Sequence, residues 1–174
     1  MPYSGTLLDG NFEQFFRLVA GGPPPRVLDI GAGAGKYAKL IRQIRPDAHL
    51  TAVEVERRYI QHFSLNGLYN TVLEMPGQML MRNIEATYDL VIMGDVIEHM
   101  PKSEGVDLLN FLVYRSAWLW LQFPIRYLQN ALDGIESEAH VSIWDYDDFV
   151  NLDTMFVAEG ALVAAGIPVM AHIG

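Results

Sequence analysis

The stretch VLDIGAGAGKY, residues 27–37, sets three glycines at alternate positions (Gly31, Gly33 and Gly35) directly behind a short apolar run containing Asp29. A brief apolar run bounded by turn residues reads as a buried strand. Glycines at its end read as a turn in which the backbone comes close to a ligand. From Lys36 the apolar residues switch to helical spacing, at Tyr37, Leu40, Ile41 and Ile44. Strand, glycine turn and helix in that order open a parallel βαβ unit.

The pattern continues outward from there. HLTAVEV (49–55) reads as a second strand, and RRYIQHFSLNG (57–67) as a helix stopping at Asn66–Gly67. TVLEM (71–75) is a weaker strand and YDLVIMGD (88–95) a strong one. SEGVDLLNFLVYRS (103–116) reads as a helix capped by Ser103, and AWLWLQF (117–123) as a strand covered on both faces. Before the core, residues 11–20 form a leading helix and GGPPP (21–25) a stiff connector. After it come a short helix, DYDDFVNL (145–152), and two final strands, MFVAEGALVAA (155–165) and PVMAHI (168–173). The expectation is one α/β domain over residues 1–174, with a helix and linker at 1–25 and the core at 26–174. Its sheet is mostly parallel, of about seven strands with the last antiparallel, and carries helices on both faces. Ligands collect at the carboxyl ends of the strands in such sheets.

Composition narrows the chemistry. The chain has 174 residues, 51% hydrophobic, and 12 basic against 21 acidic residues give a net charge of -9. A surface that tracks phosphates is disfavoured, so nucleic acid is not the expected partner. The basic residues Arg42, Arg45, Arg57 and Arg58 sit on helices and read as a solvated face. The absence of cysteine removes disulfides, zinc–thiolate sites and thiol nucleophiles. No apolar run approaches the ~18 residues of a membrane span, and the N-terminus lacks a basic start, so a cytoplasmic protein without a membrane partner is expected.

Two phosphate-binding readings of the glycine turn fail. A P-loop needs glycine at Ile30 and a hydroxyl at Tyr37. The dinucleotide fingerprint needs glycine at Lys36, and Asp29 would repel a diphosphate by on the order of a kcal/mol in a partly dry crevice. A cationic ligand reverses that sign. The pattern Asp29-x-Gly31-x-Gly33-x-Gly35 resembles the first motif of the class I S-adenosylmethionine-dependent methyltransferases, whose cofactor carries a sulfonium and an ammonium and no phosphate. Glu54 ends the second strand, where an acidic side chain can accept the ribose hydroxyl protons. DVIEH (95–99) is similar to the fourth-strand motif of these enzymes, and WLWLQFP (118–124) to the fifth strand, broken by Pro124.

The resemblance spans about residues 26–149 and implies a Rossmann-like doubly wound fold with S-adenosylmethionine as cofactor and S-adenosylhomocysteine as product. It assigns the cofactor to Asp29, Gly31, Ala32, Gly33, Gly35, Tyr37, Glu54, Val55, Asp95 and Val96. At the adenine position this chain has MPGQML (75–80) instead of the frequent aspartate, which makes Gln78 the candidate there and Met79 an apolar contact.

Methyl transfer needs alignment and exclusion of water above all, and a base when the acceptor is a weakly acidic hydroxyl or a protonated amine. The candidate catalytic residues are Asp95, Glu98 and His99, brought to one face if the chain turns helically, joined by His140. The acidic-x-x-Glu-His run with a distal His140 and Trp144 resembles metal-dependent RNA 2'-O-methyltransferases, and the run alone resembles quinone-pathway O-methyltransferases. Asp95 stands where those families have glutamate. A divalent metal, a metal-free acid–base pair and a structural role, with Glu98 paired to Lys102, all remain open.

The expected activity is methyl transfer to oxygen or nitrogen of a small-molecule or sugar-like acceptor, by a monomer or homodimer. A non-catalytic cofactor-binding regulatory subunit and a metal-assisted RNA 2'-O-methyltransferase are the alternatives. Trp118 and Trp120 read as core residues, Trp144 as a candidate pocket wall, and Arg126 as a surface arginine.

Overall fold

Residues 26–30 form an inner strand, with Leu28 and Ile30 buried on one face and Val27 on the other. In the computed structural model, which describes residues 6–131, 134–158 and 161–165, this strand is β1 (Arg26–Ile30). It is followed by α2 (Lys36–Ile44), β2 (His49–Glu54), α3 (Arg57–His62), β3 (Thr71–Glu74) and α4 (Leu80–Asn83). Then come β4 (Tyr88–Gly94), α5 (Lys102–Leu112), β5 (Ser116–Gln122), β6 (Asp153–Ala158) and β7 (Ala161–Ala165), with α1 (Asp9–Val19) ahead of them all.

The seven strands form one sheet in the order β3-β2-β1-β4-β5-β7-β6. The first five are mutually parallel, β7 runs antiparallel to β5, and β6 is antiparallel to β7. The strand order reverses between β1 and β4, the switch point at which doubly wound sheets open a crevice. Alternation along each strand separates two cores. Val27, Leu50, Ile92 and Trp120 meet α1 and α2 on one face, with Phe12, Phe16 and Ile41. Leu28, Val91, Leu119 and Leu121 meet α4 and α5 on the other, with Leu80, Leu108 and Leu112. Among the described residues no helix is long and apolar enough to cross a membrane.

Four local expectations are corrected. Helix α5 begins at Lys102 behind Pro101, so Ser103 lies inside it and caps nothing; proline suits the edge of a helix that cannot use its missing N–H. Helix α3 ends at His62, because Ser64 adopts a left-handed φ of 52° and restarts the chain as a 3₁₀ turn, Leu65–Gly67. The run read as a single strand at 155–165 is split between β6 and β7, which pair with each other. The short helix expected at 145–152 is a 3₁₀ turn, Tyr146–Phe149, whose Asp145 cap and Asp148 bond each other's backbone N–H groups. The final run, PVMAHI, lies outside the described residues.

Candidate functional site

The turn after β1 is fixed by backbone bonds to its neighbour. Gly31 and Ala32 both donate to the Val53 carbonyl, at 2.8 and 3.2 Å, and Gly35 donates to Ala32 at 2.8 Å. Gly31, Gly33 and Gly35 all have positive φ, of 71°, 50° and 71°, which side-chain-bearing residues rarely adopt. A Cβ on Gly31 would also lie 2.2 Å from Cγ2 of Val96. Gly35 serves as the left-handed residue that starts α2.

The turn and the ends of β2 and β4 enclose a cavity of about 110 Å³, lined by Gly31, Ala32, Gly33, Tyr37, Val55 and Val96, together with charged groups. Glu54 is central among these. One carboxylate oxygen accepts from the Gly33 amide at 2.8 Å and the other from the Glu56 amide at 2.9 Å. The Val55 amide also acts on this carboxylate, and with two lone pairs on each oxygen the group retains acceptor capacity for a ligand. Burial raises the Glu54 pKa, and the amides of Glu56 and Gly33 pull it back.

Asp29 lies elsewhere. It shares the face of Val27, beneath α2, where the Tyr69 hydroxyl donates to it, and it is 2% exposed. Burial pushes its carboxyl up to about 7, against the pull of Tyr69. The expectation that it faces the ligand is therefore corrected: strand alternation turns it away from the mouth. The acidic lining comes instead from Glu54, Glu56, Asp95 and Glu138, and the one lysine in the wall, Lys36, is paired with Asp9 at 2.6 Å.

A second cavity of about 270 Å³ shares Gly31, Glu54, Val55 and Val96 with the first and continues toward β3. Ile30, Val53, Met75 and Met100 make its walls apolar, and Gln78 lines it while donating to Glu104 at 2.9 Å. Met79 is 38% exposed and outside the lining of either cavity, so that expected contact is not formed.

The sequence reading places His140 at this mouth but misses Ser137 and Glu138, which the same strap, residues 135–142, adds to the wall. Ser137 lines both cavities and donates to Glu56 at 2.6 Å, and Tyr59 donates to Glu138 at 2.7 Å. No motif marks this strap. The nearest signal is Glu56, two residues beyond Glu54.

Across the cleft, Asp95 also has a left-handed φ, of 55°. Its amide donates to the Gln122 carbonyl at 2.8 Å, and its carboxylate accepts from the Gln122 side chain at 2.9 Å. Gln122 is oriented in turn by the Tyr37 hydroxyl at 3.1 Å, which accepts from the Trp120 indole at 3.3 Å. The next residues turn as a 3₁₀ helix, Ile97–His99. Asp95 thus separates from its expected companions, and His140 joins them. Glu98, His99 and His140 have ligand atoms all within 4.8 Å of one another.

His99 Nδ1 bonds the Ala139 carbonyl at 3.0 Å. Since a carbonyl only accepts, the proton sits on Nδ1 and Nε2 presents a lone pair. His140 Nδ1 likewise faces the Tyr127 carbonyl at 3.3 Å, and its Nε2 lies 4.0 Å from Glu98. Glu98 is 1% exposed, and neither carboxylate oxygen is hydrogen-bonded to any other residue. Burial pushes its carboxyl up to about 8, and burial also lowers the His99 pKa.

Trp144 is a clamp and not a pocket wall: buried, it donates from its indole to the Ile97 carbonyl and the Ser142 hydroxyl, at 3.2 and 2.7 Å. Lys102 pairs with Asp148 instead of Glu98, and Arg126 with Asp145. The four helix arginines serve the fold, Arg42 by bonding the Pro46 and Ala48 carbonyls and Arg45, Arg57 and Arg58 through Asp47, Glu74 and Glu56.

The comparisons with known proteins agree with this architecture. Residues 8–158 match the model of a family described as a methyltransferase domain. No curated protein matches the chain. Among solved structures, magnesium protoporphyrin IX methyltransferase from Synechocystis PCC 6803, with S-adenosylhomocysteine bound, superposes with a TM-score of 0.65 at 16% identity. The match covers 91% of this chain and 82% of that one. The plantazolicin methyltransferase BamL, in complex with a triazolic desmethylPZN analogue and S-adenosylhomocysteine, gives 0.62 at 16% identity over 84% of this chain, which spans 60% of BamL. CalS10, an amino pentose methyltransferase from Micromonospora echinaspora with S-adenosylmethionine bound, gives 0.53 at 15% identity, over 71% of this chain and 56% of that one.

Proposed function

Because the chain belongs to the methyltransferase domain family, we propose that it moves a methyl group from S-adenosylmethionine to an oxygen or nitrogen of a small-molecule or sugar-like acceptor. The observation that carries the reading is Glu54, which braces the Gly33 amide of the glycine turn and retains acceptor capacity at the mouth of an acidic cleft. The residues fit the cofactor. A ribose diol can donate to Glu54, an adenine ring suits the apolar cavity beside Gln78, and a cation suits walls bearing Glu54, Glu56, Asp95 and Glu138. A diphosphate does not suit them.

When bound, S-adenosylmethionine supplies a methyl group on a sulfonium, open to displacement by an acceptor lone pair. The chain's work is to align and to dry the site. Gly31 and Gly33 let the backbone approach, Val55 and Val96 exclude water, and the strap at 135–142 closes the side. Transfer to oxygen or nitrogen leaves the acceptor atom with a proton to lose. Asp95, held by Gln122, lines the cleft beside His99 and is positioned to receive it. Solved relatives of the fold act on a porphyrin, an azole compound and an amino pentose, and the net charge of -9 disfavours a polyanionic acceptor.

Calorimetry with S-adenosylhomocysteine tests the cofactor assignment. One-site binding is expected in the wild type. It is lost in Gly31→Val and falls about 10- to 100-fold in Glu54→Gln, whose amide N–H₂ would confront a backbone donor and lack the charge that strengthens these bonds. Circular dichroism checks that each variant is folded. A folded wild type that ignores the ligand, or full affinity in both variants, overturns the assignment. Transfer of labelled methyl to a panel of hydroxylated and amino acceptors tests the reaction.

A further inference from the structure

We propose that Glu98, His99 and His140 form a binding site for a divalent ion of the zinc class, and that this ion takes the acceptor through oxygen. The proposal rests on the methyl-transfer reading above and narrows its acceptor atom to oxygen.

The first argument is the orphaned carboxylate. Glu98 is 1% exposed, yet neither of its oxygens is hydrogen-bonded to any other residue, its own backbone amide being the one donor that acts on it. Buried polar groups in folded proteins are almost always satisfied, and one that is not calls for a ligand. The nearest basic group, His140 Nε2, is 4.0 Å away, too far for a hydrogen bond.

The second argument is how the imidazoles are held. His99 and His140 each turn Nδ1 to a backbone carbonyl, of Ala139 and Tyr127. This fixes the tautomer and leaves Nε2 of each ring with the lone pair an ion would take, the arrangement that outer partners impose on metal-bound histidines. Three ligand atoms from two imidazoles and one carboxylate lie within 4.8 Å of one another. Bonds of ~2.0–2.2 Å to a tetrahedral ion set ligand atoms about 3.4 Å apart, so side-chain rotations of roughly an ångström complete the site.

The backbone supports such convergence. The Glu98 carbonyl accepts from Val141 at 2.8 Å and Ser142 at 3.1 Å, and His140 donates to Gln129 at 2.9 Å, so the two ligand-bearing segments are tied together. Two nitrogen ligands favour zinc or cobalt over magnesium, which prefers oxygen. Three protein ligands leave a coordination position open, as catalytic zinc sites do. His99 lines both cavities, so that position faces the cleft.

Asp95 stays outside the ligand set, bonded to Gln122, and lines the same cleft. The ion acidifies an acceptor hydroxyl. The O–H proton passes to the Asp95 carboxylate, the oxygen lone pair forms the new O–C bond, and the pair of the breaking C–S bond stays on sulfur, leaving neutral S-adenosylhomocysteine.

The test uses full-length protein stripped with chelator and dialysed, titrated with Zn²⁺ by calorimetry and with Co²⁺ by visible absorption. One equivalent is expected to bind, with intense cobalt bands of low coordination number. Glu98→Gln and His140→Gln, each checked for fold by circular dichroism, should weaken binding by about 100-fold or more while S-adenosylhomocysteine affinity stays at the wild-type value. Two results overturn the proposal: a wild type that binds S-adenosylhomocysteine but neither metal, or a metal affinity that folded variants leave unchanged. Loss of S-adenosylhomocysteine binding by the wild type instead overturns the cofactor reading.

Discussion

Tyr69 donates its hydroxyl to Asp29 where almost no solvent reaches, and burial raises that carboxyl to about 7. In an unfolded chain the same group titrates near ~3.9. The folded state therefore holds the proton more tightly, and the stability this contributes is full below about pH 4 and lost as pH rises through 7. Tyr69, Glu54 and Lys36 are the groups that act on it electrostatically. The ligand-free protein should melt at progressively lower temperature from pH 5 to pH 8. Asp29→Asn should flatten that decline in scanning calorimetry, the remainder belonging to Glu98 and Glu54, whose carboxyls are shifted the same way. An equal slope in both proteins contradicts the assignment. Asp29 also marks a limit on what the sequence discloses. The pattern of β1 establishes that its side chains alternate, but the choice of face for each depends on where α2 and Tyr69 come to rest.

At the scale of elements, two helical glycines predict opposite signs. Replacing glycine by alanine inside a helix stabilises by up to ~1 kcal/mol through backbone entropy. At Gly10 in α1 nothing lies within 4 Å of an added Cβ, so Gly10→Ala should raise stability by several tenths of a kcal/mol. At Gly105 in α5 the Cβ would meet Trp144 at 2.7 Å. Overfilling a core costs about 1–3 kcal/mol, which outweighs the helical gain, so Gly105→Ala should be net destabilising in urea melts. Strands β1, β2, β4 and β5 were legible to within a residue or two because their apolar runs are long and bounded by turns. The 155–165 run was not, since two short strands close together in sequence read as one continuous apolar run. Glu54, Glu98 and His99 could be placed near the mouth from sequence because Glu54 ends β2 and the other two lie in the turn after β4. Ser137 and Glu138 were not, because they reach the cleft through partners 81 and 79 residues away in sequence, and chain-local patterns carry no record of such meetings.

For the whole molecule, the cleft gathers residues from β1, β2 and β4 and from the strap, so a ligand there binds only the folded chain. Mass action then adds about 2.7 kcal/mol at a ligand concentration a hundred times its Kd. For a protein of 174 residues, that raises the melting temperature by about 5–10 °C. Differential scanning fluorimetry with S-adenosylhomocysteine should read this shift, and NADH at the same concentration should produce none. The fastening of the strap carries a consequence of its own. Val141 and Ser142 hang from the carbonyl of Glu98, and Trp144 is hooked to the neighbouring Ile97. The strap and the turn after β4 are thereby tied as one unit, and on the proposed reading a substitution that frees Val141 from the Glu98 carbonyl should unseat His140 while Glu54 keeps its hold on Gly33.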